Sequence, residues 1–362
     1  MSQDIHKEHN VRLAKNTLML YVRMVFLMVI GLYTSRVVLQ SLGEEDFGIY
    51  NVVGGLVSMF SLISASLSSS ISRFITYELG SRQESRLTSV FSSAVLIQII
   101  LACVVLLFLL SQMGRTGHKG LSELRGWAYA HRGLHGNGVP ENSMQAFRLA
   151  LEHGYGIELD IHLMKDGNLA VIHDASLKRT AGVDVLIEDL TTEDLSNYRL
   201  EGTQEQIPTF RQVLDLYAGN APLIIELKAE GNNHAALTEA ACKAMEGYEG
   251  PWCMESFDPR CVLWLKKNRP DVIRGQLTEN FLGNPKSKLP WILKFLLTWQ
   301  LENFLIRPDF VAYKFADRKN LSVWICKHIW KLQCVGWTIK TPEEYAAALK
   351  EGWLPIFENF TP

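Results

Sequence analysis

Charged and imidazole side chains stand at the ends of several short apolar runs in this sequence. Each run predicts a β-strand, and the polar groups fall at its carboxyl-terminal end, where a parallel α/β barrel builds its active site. The set comprises two histidines, three carboxylates, one arginine and one lysine: His131, His173, Glu158, Asp160, Glu226, Arg132 and Lys228. Such a set indicates a metal-assisted enzyme that acts on a phosphate compound.

The three carboxylates are the candidate metal ligands. Glu158 and Asp160 are two residues apart on one predicted strand, so both side chains point to the same face. Glu226 joins them from the next predicted barrel strand. An all-oxygen cluster suits Mg²⁺ or Ca²⁺ rather than zinc. The alternative is a set of ion pairs at the barrel rim.

The two histidines are the candidate acid and base. Hydrolysis of an anionic phosphodiester needs a cation, a proton donor and a proton acceptor. Imidazole has the near-neutral pKa that such proton transfers require. A lone histidine is usually structural, but His131 and His173 flank the carboxylates, which favours a catalytic role for both.

Separated motifs between Trp127 and the C terminus resemble the glycerophosphodiester phosphodiesterase family. They are HRG, PENS, GIELDIHLMKDGNLAVIHD, ELK, SFD and GWTI, in that order. The resemblance implies hydrolysis of glycerophosphodiesters to glycerol 3-phosphate and an alcohol. It also implies that attack by the glycerol 2-hydroxyl first forms a cyclic phosphate, with His131 and His173 as the acid/base pair.

The resemblance assigns further roles around these histidines. Arg132 and Lys228 are expected to hold the phosphate oxygens, Arg132 as a fork and Lys228 as a point charge. Trp337 is expected to line the pocket wall. Glu141 and Asn142 are expected to brace the His131 loop rather than touch the substrate.

The end of the chain departs from the family pattern. Where the family has an aspartate after the last strand, this chain has Glu358 or Asn359, depending on register. The remaining histidines in the motif region, His135, His153 and His162, have no comparable support, and we expect them to be surface or structural residues.

The motif region alternates predicted strands with predicted helices, which is the pattern of a (β/α)₈ TIM barrel. The eight predicted strands are residues 128–132, 157–163, 223–227, 253–257, 273–277, 310–314, 335–339 and 354–358. The predicted helices are 143–153, 209–218, 234–245, 259–268, 321–332 and 342–350. Residues 168–208 break the rhythm and predict a rim insertion that carries His173.

The amino-acid composition bears on nucleic-acid binding and on the state of the cysteines. The 36 basic and 38 acidic residues nearly balance, which argues against a nucleic-acid-binding protein. The six cysteines form no CxxC pair and no zinc-binding spacing with histidine. We expect them to be reduced and mostly buried thiols.

The first 112 residues are predicted to be a membrane segment. Residues 18–39, 50–72 and 90–110 are each long and apolar enough to cross a bilayer. A cleaved signal peptide is the alternative for the first run, but that run is too long for one. Residues 113–126 are predicted as a linker and 127–362 as the barrel domain.

Residues from about 10 to 110 resemble the N-terminal part of polysaccharide flippases. The whole flippase family uses about a dozen helices, and three helices cannot enclose a transport path. We therefore expect an anchor rather than a transporter. The distribution of Lys and Arg around the spans weakly places the barrel outside the cell, at the plasma membrane.

One apolar, Trp-rich stretch, residues 286–304, has two interpretations: a helix lying against lipid, or an ordinary barrel helix with a buried face. The leading functional hypothesis is a membrane-anchored, metal-dependent glycerophosphodiester phosphodiesterase. One alternative is a lysophospholipase D-like enzyme acting on lysolipids in the membrane. The other is a non-enzymatic membrane protein with a regulatory barrel.

Overall fold

The computed structural model describes residues 84–362 continuously and, before them, residues 68–80 and isolated positions from 19 to 65. The chain divides into two compact units, Met1–Leu101 and Ala102–Pro362. The predicted spans 18–39 and 50–72 lie largely outside the described residues.

The third predicted span falls within a helix. This helix, α1, comprises Glu84–Ser111. Its stretch Arg86–Ser111 is long and apolar enough to cross a membrane, a statement about length and composition only.

Nine strands and nine further helices follow α1 in the described chain. The strands are β1 Tyr129–His131, β2 Gly156–Leu163, β3 Leu169–Val171, β4 Leu223–Leu227, β5 Trp252–Ser256, β6 Arg274–Thr278, β7 Phe310–Lys314, β8 Gln333–Ile339 and β9 Leu354–Phe357. The helices are α2 Met144–Glu152, α3 Lys178–Ala181, α4 Phe210–Tyr217, α5 His234–Ala244, α6 Pro259–Asn268, α7 Trp291–Thr298, α8 Asn303–Ile306, α9 Leu321–Trp324 and α10 Pro342–Lys350.

Eight of these strands form a closed parallel barrel in the order β1-β9-β8-β7-β6-β5-β4-β2, and β1 pairs with β2 to close it. The predicted (β/α)₈ architecture is therefore confirmed, with each barrel strand within two residues of its predicted bounds. The helix predicted over 321–332 differs, because the α-helix ends at Trp324 and continues as the π-helical turn Ile325–Ile329.

The segment 113–126 packs against the amino-terminal end of the barrel. Leu121 and Leu124 are buried in the cluster that fills the barrel interior. The hydroxyl of Tyr129, the first residue of β1, donates a hydrogen bond of 2.6 Å to the Leu124 carbonyl. The guanidinium of Arg115 pairs with Asp309, which directly precedes β7. The hydrophobic filling at this end leaves the opposite, carboxyl-terminal end for polar groups.

The rim insertion begins with the antiparallel strand β3, which pairs with the end of β2. The amide of Ile172 donates to the Asp160 carbonyl at 3.1 Å, and this pairing brings the chain back over the barrel mouth. The rest of the insertion has its own small hydrophobic cluster: Met164, Ala170, Ile172, Leu177, Ile187, Leu190, Leu195, Leu200 and Ile207. The strand and this cluster fix where His173 emerges.

Candidate active site

Strand register places four carboxylates at the barrel mouth. Asp160 on β2 is the partner of Glu226 on β4, and Glu226 is the partner of Glu255 on β5. Glu158 lies two residues before Asp160 on β2 and is the partner of His131 on β1. Oxygens of Glu158, Asp160 and Glu226 lie within 4.8 Å of one another. We call these four buried acids the carboxylate cluster.

The electrostatics of the carboxylate cluster fit a divalent cation. Burial raises the pKa of Glu158, Glu226 and Glu255, and neighbouring carboxylates raise it further. Fully ionised, the cluster carries four negative charges, against one positive charge each from Arg132 and Lys228. The two excess charges are what a divalent cation offsets, and the oxygen-only donor set is the kind that Mg²⁺ and Ca²⁺ prefer. The three closely spaced acids are the residues that could hold it.

Two cations lie beside the carboxylate cluster. Lys228 Nζ is 3.0 Å from Glu226 Oε1 and 3.5 Å from Asp160 Oδ1. Arg132 Nε is 3.3 Å from Asp160 Oδ2. Burial by itself lowers the pKa of each cation, but the carboxylates outweigh burial, so both pKa values lie above their usual range. Both side chains therefore stay charged and can bind phosphate oxygens.

His131 lies between the carboxylate cluster and the end of β9. Its Nε2 is 3.8 Å from Glu158 Oε2, and its Nδ1 is 3.5 Å from Glu358 Oε2. The contact with His131 lowers the pKa of the Glu358 carboxyl to about 2. Of the two residues that the sequence left open here, it is Glu358 that faces the imidazole. A carboxylate at Nδ1 leaves Nε2 directed towards the pocket.

His173 belongs to a chain of charged side chains on the rim insertion. Its Nδ1 is 2.6 Å from Asp174 Oδ1, and Arg179 donates from Nε to Asp174 Oδ2 at 2.5 Å. Arg179 also donates from Nη2 to Glu141 Oε1 at 2.6 Å. Burial lowers the pKa of His173, although the nearby Asp160 opposes this. These contacts fix the orientation of the imidazole.

Glu141 and Asn142 lie behind the groups that face the pocket. Glu141 Oε1 accepts a hydrogen bond of 2.9 Å from Arg132 Nη1, and Asn142 Nδ2 donates to Asp160 Oδ2 at 2.9 Å. Arg132 and Asn142 both have positive φ angles, 54° and 52°. For residues other than glycine such angles are uncommon and concentrate at functional sites.

The pocket enclosed by these groups has a volume of about 80 Å³. This is a few times the volume of one water molecule, enough for a small anionic group. Trp337 forms one wall: its Nε1 donates to the Ala312 carbonyl at 3.2 Å, and its ring meets that of Phe257 edge-on at 5.5 Å. The pocket is lined by His131, Arg132, Glu158, His173, Glu226, Glu255, Phe257, Leu277, Trp337, Thr338 and Ile356.

The structure adds four residues that the sequence analysis left without a role: Glu255, Glu358, Asp174 and Arg179. Glu255 occupies on β5 the position that Glu226 occupies on β4, so its strand-end carboxylate was a usable signal. Asp174 adjoins His173 in sequence, but nothing local marks Arg179.

The three histidines expected to be surface or structural lie in different settings. His162 is fully buried with its Nε2 3.2 Å from the His173 carbonyl, and burial lowers its pKa to about 4. His153 is exposed, and its ring stacks on the ring of Tyr155. His135 lies 3.8 Å from Glu358 Oε1, at the edge of the site.

Comparisons with known proteins identify relatives of this chain. Residues 131–324 match the family described as glycerophosphoryl diester phosphodiesterase. The chain is 34% identical over 175 residues to a glycerophosphodiester phosphodiesterase of Bacillus altitudinis, covering 45% of this chain and 71% of that protein. It is also 34% identical over 166 residues to a glycerophosphodiester phosphodiesterase of Caldanaerobacter subterraneus, covering 43% and 68%.

A solved structure shows the same fold. An Oleispira antarctica phosphodiesterase in complex with the product sn-glycerol-3-phosphate superposes with a TM-score of 0.56 at 21% sequence identity. The superposition covers 67% of this chain and 95% of that one. At this identity the likeness shows the fold alone.

Proposed function

Because this chain belongs to the glycerophosphoryl diester phosphodiesterase family and is a phosphoric diester hydrolase, we propose that it hydrolyses glycerophosphodiesters to glycerol 3-phosphate and an alcohol in a metal-dependent reaction. The observation that carries the proposal is that His131 and His173 line one pocket together with a buried, oxygen-only cluster. The hydrolase assignment replaces the non-enzymatic alternative.

The pocket residues have separate roles in the proposed reaction. A divalent cation held by Glu158, Asp160 and Glu226 would neutralise the charge of the phosphate. Arg132 and Lys228 bind the phosphate oxygens and orient phosphorus towards the glycerol 2-hydroxyl.

Proton transfer in the proposed reaction uses the two imidazoles. One of His131 and His173 takes the proton of the 2-hydroxyl as its oxygen bonds to phosphorus, and the other donates a proton to the departing alcohol oxygen. In the second step the first imidazole returns its proton to the glycerol oxygen, while the second activates the water that opens the cyclic phosphate. Each histidine thus ends in its starting protonation state.

Metal dependence is tested by chelation of the purified full-length protein in detergent. EDTA treatment should abolish hydrolysis of glycerophosphocholine, and Mg²⁺ or Ca²⁺ should restore it. Equilibrium dialysis gives a second readout, since Asp160→Asn should lower the number of Ca²⁺ ions bound. Full activity after exhaustive dialysis against EDTA would contradict the metal assignment.

Membrane anchoring is a further part of the proposal. Residues 1–112 serve as an anchor, supported by the length and composition of Arg86–Ser111 in α1 and by the apolar character of the earlier runs. Their resemblance to flippases, the outward orientation of the barrel and its place at the plasma membrane stay predictions. Digestion of the barrel by protease added to intact cells would support the orientation, and complete protection would contradict it.

A second candidate function, a lysophospholipase D-like activity, is favoured by one observation. Leu282 is half exposed, and from its neighbour Phe281 a series of ring contacts leads to Phe257 at 6.1 Å and on to Trp337 in the pocket at 5.5 Å. These packed rings give one side of the pocket an apolar wall, which suits contact with an acyl chain. The chain is also 35% identical over 116 residues to a rat protein named lysophospholipase D, of which it covers 36%. Faster hydrolysis of lysophosphatidylcholine than of glycerophosphocholine would favour this candidate.

A further inference from the structure

The outer surface of α7 and α8 is apolar and exposed. Five residues of α7 and two of α8 have exposed fractions from 36% to 72%: Trp291, Ile292, Leu293, Phe295, Leu296, Phe304 and Leu305. Beyond residue 113, the described chain has twelve exposed large hydrophobic residues, so seven of them fall within these fifteen positions. We call these seven residues the apolar patch. A concentration of this kind marks an interaction surface.

The burial of α7 bears on the two interpretations of residues 286–304, a helix against lipid or a barrel helix with a buried face. α7 does bury one side, since Leu297 and Thr298 are buried against the barrel. Its remaining face is not covered by any other part of the described chain. The buried side agrees with a barrel helix, and a position against lipid stays a prediction for the exposed face.

The last turn of α1 lies directly beside this surface. Trp299 directly follows the last residue of α7. The ring of Phe108 meets the ring of Trp299 edge-on with the ring centroids 5.9 Å apart, and the centroids of Trp299 and Phe295 of the patch are 6.5 Å apart. The indole of Trp330 donates to the Leu109 carbonyl at 2.9 Å. These contacts fix the end of the candidate span next to the patch. If the end of α1 is at a bilayer surface, the patch is there as well.

The charges around the patch fit lipid head groups. Lys286, Lys288 and Lys294 precede or interrupt the apolar residues, and residues 281–301 contain no aspartate or glutamate. Lysines near an apolar surface attract anionic lipid head groups. Trp291 is 72% exposed at the start of α7, and tryptophan is enriched at the membrane–water interface.

We propose that the apolar patch of α7 and α8 lies on the bilayer surface, so that the barrel rests on the membrane rather than hanging free from its anchor. This inference rests on the proposed span in α1. The amide of Leu282 donates to Thr298 Oγ1 at the end of α7 at 3.3 Å. A docked barrel would therefore hold Leu282, and the apolar ring contacts that lead from its neighbour to the pocket, on the side of the lipid.

The test uses spin labels on the full-length protein in vesicles of phosphatidylcholine and phosphatidylglycerol. Cys103 is the exposed cysteine among the six and the other five are buried, so Cys103→Ser gives a background for labelling. In this background Ile292→Cys reports on the patch. Leu349→Cys on α10 is its matched control, because Ile292 and Leu349 are both 53% exposed. Leu96→Cys reports on the proposed span itself.

Accessibility to oxygen, which concentrates in lipid, is compared with accessibility to a water-soluble nickel chelate. The label at 292 should favour oxygen, and the label at 349 should favour the chelate. Equal preference for the chelate at both positions would overturn the inference. Spin–spin broadening at 292 that disappears on dilution with unlabelled protein would also overturn it, by identifying a second copy as the occupant. A label at 96 that favours the chelate would instead remove the proposed span.

Discussion

His131 and His173 reach the pocket from different elements, one from a barrel strand and the other from the rim insertion. Each has a carboxylate at Nδ1, from Glu358 and Asp174 respectively. This arrangement fixes both rings with Nε2 free for proton transfer. Because the rings are held by separate elements, either one can be removed without disturbing the other.

We expect His131→Ala and His173→Ala each to lower kcat by roughly 10²-fold or more, because a positioned acid or base contributes at least that much. The far-ultraviolet circular dichroism spectrum should not change, since both side chains lie at the pocket rather than in a hydrophobic cluster. His153→Ala is the matched control, with its ring on the surface against Tyr155. Near-normal turnover of either pocket variant would remove that histidine from the mechanism.

Glu358 offers a sharper test of ring positioning. Glu358 Oε2 lies 3.5 Å from His131 Nδ1, the distance of an ion pair. Glu358→Gln keeps the shape of the side chain but removes its charge, so it should lower kcat roughly 10-fold, or by about 1.4 kcal/mol. KM should change little, because Glu358 faces His131 and not the phosphate-binding cations. Glu358→Asp should recover part of the loss. A variant in which KM rises and kcat is preserved would show that Glu358 binds substrate instead.

At the scale of elements, the barrel strands were predictable because each is a short apolar run with a polar end. The common face of Glu158 and Asp160 followed from their two-residue spacing. The contact between His131 and Glu358 was not predictable, because it depends on how β1 pairs with β9 when the barrel closes. Arg179 was missed for a related reason: it acts across 38 residues, and local spacing carries no information about that contact.

The packing of the segment before β1 was also invisible in the sequence. In the sequence Arg115 is only a basic residue after a predicted span, yet its guanidinium pairs with the buried carboxylate of Asp309 and donates to the Val272 carbonyl. Gly114 is close-packed too, since a side chain there would lie 2.5 Å from the Pro308 carbonyl. The composition of a segment gives its polarity but not its partners.

Breaking the ion pair between Arg115 and Asp309 should destabilise the barrel. Arg115→Ala leaves Asp309 buried without its guanidinium partner, which costs about 3 kcal/mol. Arg211→Ala removes an exposed helical pair with Asp215 and should cost about 0.5 kcal/mol or less. Both variants are denatured with urea in mild detergent, and the loss of activity with increasing urea gives the midpoint of unfolding for each. Equal midpoints for the two variants would show that the segment is not part of the folded barrel.

In the whole molecule, the candidate active site and the proposed membrane anchor lie in different parts of the chain. The barrel has its complete set of eight strands and its own interior after residue 113. The anchor that we propose for residues 1–112 would govern which substrates reach the site and not the chemistry there.

A chain that begins at Met113 should accordingly hydrolyse glycerophosphocholine with an unchanged kcat, while losing activity on lysophosphatidylcholine presented in vesicles. It retains Arg115 together with Leu121 and Leu124. A chain that begins at Leu121 should be as active but less stable, because it lacks the Arg115 pair. An inactive chain from Met113, alongside active full-length protein in detergent, would make the helices part of the enzyme.

The central claim is that the pocket cleaves a glycerophosphodiester on the alcohol side of phosphorus. Phosphorus-31 NMR of the products formed from glycerophosphocholine by the full-length protein, with Mg²⁺ or Ca²⁺ present, tests this directly. The account predicts glycerol 3-phosphate as the phosphorus-containing product, and no product from the Glu158→Gln variant. Phosphocholine as the product, or equal turnover by that variant, would contradict it.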